Sequence, residues 1–150
     1  MDVTKQFSIF MVNKPGVLAH VLSEFARSKL NIIAMTMVDS AEHGVMRVVF
    51  GSDKRATELL KKLNMQYSEA DVLRVNLANK SGALATVVEK LSKNHINISY
   101  AYCTAGAKGG RTTGILKVAD VKKAMRILDP NPKKQNKSQP TVRRSRTSRK

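Results

Sequence analysis

Asn13-Lys14-Pro15-Gly16-Val17-Leu18-Ala19 returns as Asn79-Lys80-Ser81-Gly82-Ala83-Leu84-Ala85, 66 residues further on. The same offset relates Val21 to Val87 and Asn31-Ile32 to Asn97-Ile98. A period this long describes two small domains and not a solenoid of short repeats. The surroundings of the first copy therefore set the fold, and the second copy checks it.

Residues 6–12 (QFSIFMV) are β-prone and run into the turn signal Asn13-Lys14-Pro15-Gly16. Val17, Leu18, Val21, Leu22, Phe25 and Ala26 then recur at helical spacing, which predicts a helix to about Ser28. Residues 31–38 read as a strand, 39–44 as a short polar hairpin connection and 45–50 as the returning strand. Ser52-Asp53 offers a helix N-cap, Leu59, Leu60 and Leu63 supply an apolar face, and 65–70 can close the unit as a strand. The order is βαββαβ, an α+β, ferredoxin-like arrangement with helices on one face of an antiparallel sheet.

The second copy repeats this, with strands expected at 72–77, 97–104 and 112–118 and helices at 82–93 and 120–128. Asp53 aligns with Asp120 at an offset of 67, which implies one residue added in the loop at 105–110. Asp129-Pro130-Asn131-Pro132 then ends a helix and begins no strand, so the second repeat is expected to lack its last strand. The expected domains are 1–70 and 71–128.

The 150 residues and 42% apolar content suffice for two small domains that share buried surface. Residues 129–150 hold eight Lys or Arg against Asp129 alone, which is +7 of the chain's +16. Val142 is the only large aliphatic side chain there, so this basic tail is expected to be disordered. Cys103 is the only cysteine, which fits a reducing compartment. No apolar run reaches membrane-spanning length and no signal-peptide pattern opens the chain, so a cytoplasmic location without a membrane partner is expected.

A helix beginning near Gly16 presents the N–H groups of Gly16, Val17 and Leu18, a weakly positive pocket suited to a carboxylate. Asn13 adds an amide that both donates and accepts. In this topology Asn13 ends one strand while Asn31 begins a strand running the same way. They stand a strand length apart, about 20 Å. One domain cannot aim both at a small ligand. If two domains pair about a two-fold axis through their second strands, the turn of one approaches the Asn-Ile of its neighbour.

The sequence strand, Asn-x-Pro-Gly-Val-Leu, helix, Asn-Ile, strand resembles the ACT domain, a small amino-acid-sensing regulatory module. The resemblance spans about residues 6–128, and the layout is similar to small stand-alone tandem ACT proteins. It implies ligand contacts from Asn13, Gly16, Val17, Leu18, Asn31 and Ile32, and equally from Asn79, Gly82, Ala83, Leu84, Asn97 and Ile98. It also implies side-by-side pairing, a free amino acid as ligand, a homodimer, no cofactor and no catalysis. Serine-sensing members carry His two positions before the first Asn, where this chain has Met11 and Leu77. The first half also resembles the ACT region of acetolactate synthase small subunits, which makes a partner enzyme the alternative.

Other chemistry finds less support. His20, His43 and His95 have no metal-ligand spacing with Cys103, which reads as a core residue on a strand. The segment 106–111 has glycines and basic residues but lacks the Gly-Lys-Ser/Thr ending of a phosphate loop, and reads as a flexible hairpin. Residues 133–150 offer a second alternative, nucleic-acid binding through phosphate neutralisation. A sheet acting as an RNA platform needs exposed aromatic pairs, and 6–12 supplies none.

Overall fold

The computed structural model describes residues 1–39, 43–105 and 111–129. Among them the chain forms β1 (Asp2–Val12), α1 (Val17–Arg27), β2 (Ile32–Asp39), β3 (His43–Phe50) and α2 (Asp53–Lys62). It continues with β4 (Tyr67–Ala78), α3 (Ala83–Lys93), β5 (Ile98–Ala105), β6 (Arg111–Val118) and α4 (Val121–Leu128). This is the expected α+β order. The basic tail beyond Asp129, residues 40–42 of the 39–44 connection and the loop at 106–110 lie outside the described residues.

The six strands join one antiparallel sheet in the order β2-β3-β1-β4-β6-β5. The strands expected at 65–70 and 72–77 are one element, β4. No Gly or Pro interrupts 67–78, so nothing stops the extended chain at the seam between the repeats. β1 and β4 pair over Asp2↔Arg74 to Ile9↔Tyr67, with Lys5 opposite its own repeat equivalent, Asp71. The register is therefore reciprocal. The start of β4 serves as the fourth strand of the first repeat, and the start of β1 stands in for the strand that the second repeat lacks.

Alternation along the strands divides two helix-side cores. Phe7, Ile9, Met11, Met46, Val48 and Phe50 meet Val21 and Phe25 of α1 and Leu59 and Leu60 of α2. Leu73, Val75, Leu77, Leu116 and Val118 meet Leu91 of α3 and Ala124 of α4. Phe7 pairs with Val48, and Leu73 pairs with Leu116. The repeats are thus offset by 68 beyond the hairpin, and Ser52 corresponds to Asp120, each the N-cap of its helix. This corrects the alignment of Asp53 with Asp120: two residues are added in the loop, not one. A single added residue would turn every side chain of β6 to the opposite face, whereas two preserve the alternation.

The face away from the helices folds inward on itself. Ala34 (β2), Val49 (β3), Val72 (β4) and Ile115 (β6) are buried together, with Ile33 and Tyr102 packed against them. Gln6, wholly buried on β1, donates from Nε2 to the Tyr100 hydroxyl at 2.7 Å and accepts from the Tyr102 hydroxyl at 3.0 Å. In a flat sheet β5 would stand three strands from β1, about 14 Å away, beyond the reach of a tyrosine. The sheet is therefore strongly curled, and Cα atoms of its end strands β2 and β5 come within 8 Å. Register shifts at Ile32/Ala34 and Ile98/Tyr100 mark equivalent bulges near the start of each end strand, devices that increase local twist.

Candidate functional site

Each copied turn is built by a glycine in the left-handed region, Gly16 at φ 87 and Gly82 at φ 83. A Cβ at either would meet nothing within 4 Å, so backbone conformation, not crowding, requires glycine here. After the turn the Val17 N–H donates to the Lys14 carbonyl at 3.3 Å and the Ala83 N–H to that of Lys80 at 3.3 Å. Val17 and Ala83 therefore spend their amides inside the turn, contrary to the expectation that they face a ligand. The N–H groups of Leu18, Ala19, Leu84 and Ala85 follow in the first helical turn, where an α-helix supplies no partner of its own.

The four helices divide at this point. Gly16 and Gly82 give α1 and α3 no side-chain cap. Ser52 caps α2 by accepting from Arg55 N–H at 3.5 Å, and Asp120 caps α4 by accepting from Lys123 N–H at 2.8 Å. The helix starts that the repeat preserves in sequence are the two without an intrinsic acceptor.

Around these turns Asn13, Asn79, Asn31 and Asn97 are exposed. Leu18 lies half-buried against the first core, while Leu84 is left exposed. Ile32 and Ile98 pack into the first and second cores. The carbonyl of Asn31 accepts from Gly51 N–H at 2.9 Å, and that of Asn97 from Ala119 N–H at 3.2 Å. These bonds tie each Asn-Ile pair to the end of the neighbouring strand.

The ladder registers place Ile32 opposite Phe50 and Ile98 opposite Val118. Followed through β3 and β6, both pairs fall level with Lys5 and Asp71, at the middle of the sheet. Asn13 lies eight residues beyond that level, about 26 Å along the strand, and Asn79 the same distance the other way. The chain does not bring its own turns to its own Asn-Ile pairs. The pairing of repeats that it builds runs through β1 and β4. The second strands, expected to pair as sheet edges, are the two ends of the sheet; its curl brings them within 8 Å of each other, but they share no ladder. A fourth strand position on β1 had to be filled, and the start of β4 filled it.

Electrostatics around the seam are local. Lys5 Nζ lies 3.0 Å from Glu69 Oε2, and this hydrogen bond holds the ammonium pKa above its usual value. Burial raises the Asp53 carboxyl, with Lys5 opposing the shift. The Arg74 guanidinium forks onto Asp2, one arm at 2.7 Å, and joins the start of β1 to β4. Arg47 lies 4.0 Å over the Tyr100 ring, so both tyrosines of the inner face are engaged within the chain. Sequence reasoning missed Gln6, Arg47, Tyr100 and Tyr102. Their only signal was Gln6 at a strand position whose repeat equivalent is Val72.

Cys103 is exposed on the end strand β5, not in the core as expected, because α3 and α4 cover strands further in. His20, His43 and His95 are all exposed. Among the described residues no group of three or more His, Cys, Asp or Glu could hold a metal, and no helix is long and apolar enough to cross a membrane.

Comparison with known proteins follows this geometry. Protein BT0572 from Bacteroides thetaiotaomicron is 28% identical, with a TM-score of 0.78 over 85% of this chain and 88% of that one. The regulatory subunit of aspartate kinase from Thermus thermophilus, in its ligand-free form, is 14% identical, with a TM-score of 0.60 over 87% of this chain and 93% of its own. A structure of aspartokinase alpha and beta subunits is 19% identical, with a TM-score of 0.54 over 87% and 96%. These last two likenesses concern the fold. No curated protein matches the chain. The model of the ACT domain pair matches residues 1–131, and the chain accordingly belongs to the family of paired ACT domains.

Proposed function

We propose that this chain is a non-enzymatic regulatory protein that binds a free amino acid at its two copied turns. The observation carrying this reading is the contrast among helix starts: α2 and α4 are capped by their own side chains, α1 and α3 are not. An amino-acid carboxylate would accept from the first-turn amides of Leu18 and Ala19, or of Leu84 and Ala85. Asn13 and Asn79 flank it, and a carbonyl oxygen would take the ammonium group. Gly16 and Gly82 shape the turn and leave open space before it.

Asn31-Ile32 and Asn97-Ile98 complete such a site only when another molecule presents them, since the registers hold them far from the turns of their own chain. The proposal therefore includes a homodimer in which the turn of one protomer meets the Asn-Ile pair of its partner. Modules 1–70 and 71–128 act as one unit, joined through β4. Family membership and the regulatory subunits of aspartate kinase with the same fold agree with a role in control. Co-purification with a large catalytic chain would add the partner-enzyme form of the reading.

The experiment is a thermal-shift screen of the twenty amino acids against wild type, Gly16→Asp, Gly82→Asp and the double variant. Aspartate tolerates the left-handed region better than most residues, and its carboxylate at the N-cap would occupy the amides. One amino acid should stabilise wild type by about 2.7 kcal/mol at a hundredfold excess over Kd, and the double variant should not respond. An undiminished response in the double variant rejects the site.

A further inference from the structure

One guanidinium on the inner face of the sheet stands without an acid. Arg47 lies on β3 between Ser8 of β1 and Thr36 of β2, in a single cross-strand row, and all three are half-buried. Tyr100 reaches it from the end strand β5, with the guanidinium 4.0 Å over the ring. Among the described residues that guanidinium makes no ion pair and no hydrogen bond. By contrast Lys5 is held by Glu69, Arg74 by Asp2 and Lys117 by the Asp71 carbonyl. Ser8 Oγ accepts from Gln6 Nε2 at 3.4 Å, which leaves its own proton to donate outward.

The next row on the same face lies two residues along, about 7 Å away, and consists of Phe10, Val45 and Val38. Phe10 and Val38 are 44% and 41% exposed. A cation without a counter-ion therefore borders an uncovered apolar row. The curl of the sheet makes this face concave, and Tyr100 walls it at the Arg47 end.

The second repeat is built on the same strands and has no such arrangement. The equivalents of Ser8, Arg47 and Thr36 are Arg74, Ile115 and Tyr102, and there Arg74 is bound to Asp2 and Ile115 is buried. The equivalents of Phe10, Val45 and Val38 are Asn76, Thr113 and Thr104. The fold does not demand a cation beside an exposed apolar row, since it is made once without either.

We infer that the inner face of the first repeat binds a small carboxylate with an apolar body, at a site apart from the copied turns. The carboxylate accepts from the fork of Arg47 N–H groups, with the Ser8 and Thr36 hydroxyls donating beside it. The apolar body lies along Phe10, Val45 and Val38. Neither row contains an acid to hold an ammonium group, so the ligand class is an alkyl or aryl monocarboxylate and not an amino acid.

The probe is hydrocinnamate, titrated into the full-length, isotope-labelled chain while the Arg47 side chain and the Val38 and Val45 methyl groups are followed by resonance. These should shift together and saturate, and Asn76 and Thr113 should not move. Arg47→Gln should weaken binding about tenfold or more, and Arg47→Lys less, since it keeps the charge and loses the fork. Phe10→Ser should weaken it about tenfold, and the uncharged hydrocinnamamide should bind at least about tenfold more weakly than the carboxylate. The Gly16→Asp/Gly82→Asp double variant should bind hydrocinnamate as wild type does, so the failure of this site and the failure of the amino-acid site at the turns are told apart. No saturation at millimolar probe, equal affinity for the uncharged analogue, wild-type affinity in Arg47→Gln, or loss of binding in the turn variant would each overturn the inference. A change of oligomeric state on Phe10→Ser would assign the face to a second copy of the chain and overturn it as well.

Discussion

Removing one hydroxyl from the inner face of the sheet tests whether the two repeats are locked together. Gln6 on β1 holds Tyr100 and Tyr102 on β5 at 2.7 and 3.0 Å, and its side chain has no exposure. Tyr102→Phe leaves the Gln6 carbonyl oxygen without that donor. An unsatisfied buried acceptor costs about 1–3 kcal/mol, well above the few tenths expected from the small change in packing. Gln6→Leu removes the hub and leaves two hydroxyls without it, at a similar cost. The double variant replaces polar partners by apolar groups on both sides and so recovers part of the loss. A coupling of about 1–2 kcal/mol is expected between the two positions. In a chain of 150 residues each single variant should lower Tm by about 3–9 °C. Urea and thermal unfolding of the four proteins measure this cycle. Singles within about 0.3 kcal/mol of wild type, or strict additivity, would refute the claim that these bonds hold the curl.

The remaining predictions concern packing, capping and pH. A Cβ on Gly114 would lie 2.9 Å from Val75 Cγ2 and 3.3 Å from Leu77 Cδ1, both buried, so Gly114→Ala should cost about 1–3 kcal/mol. At Gly44 a Cβ meets the flexible end of Met37 at 3.4 Å and Met11 at 3.8 Å or more, ordinary contacts, so Gly44→Ala should stay within about 0.5 kcal/mol, as denaturant melts of the pair will show. Asp120→Ala should cost about 1 kcal/mol and Ser52→Ala less, since the caps span 2.8 and 3.5 Å; helix melting by circular dichroism ranks them. Burial holds the Tyr102 phenol above its ordinary pKa in the folded state. An unfolded tyrosine ionises near pH 10, so this group's stabilisation is full below that pH and falls as pH rises. A base titration followed by tyrosinate absorbance should show Tyr102→Phe losing part of that alkaline instability.

Much of the architecture is legible along the chain because it is local. Helical spacing from Val17 to Ala26 and its echo after Gly82 give α1 and α3 to within a residue, and Ser52 shows the capping chemistry that starts α2. The copied glycines imply the left-handed turns later found at φ 87 and 83, since few other residues adopt that conformation freely. The candidate site was legible only in its halves. Which half faces which depends on pairings between strands dozens of residues apart, and no local pattern encodes those.

The amino acids in order thus determined the elements, their caps, the duplicated turns and the truncation after α4. Tertiary structure alone decided that β4 runs unbroken through the seam and that β1 fills the vacant fourth position of the second repeat. It also decided that the hairpin gained two residues, and that Gln6 faces two tyrosines from the far end of the sheet. The reason is that strand edges carry the same donors and acceptors whatever the side chains. Their partners are chosen by burial, register and curl, which exist only once the whole sheet has assembled.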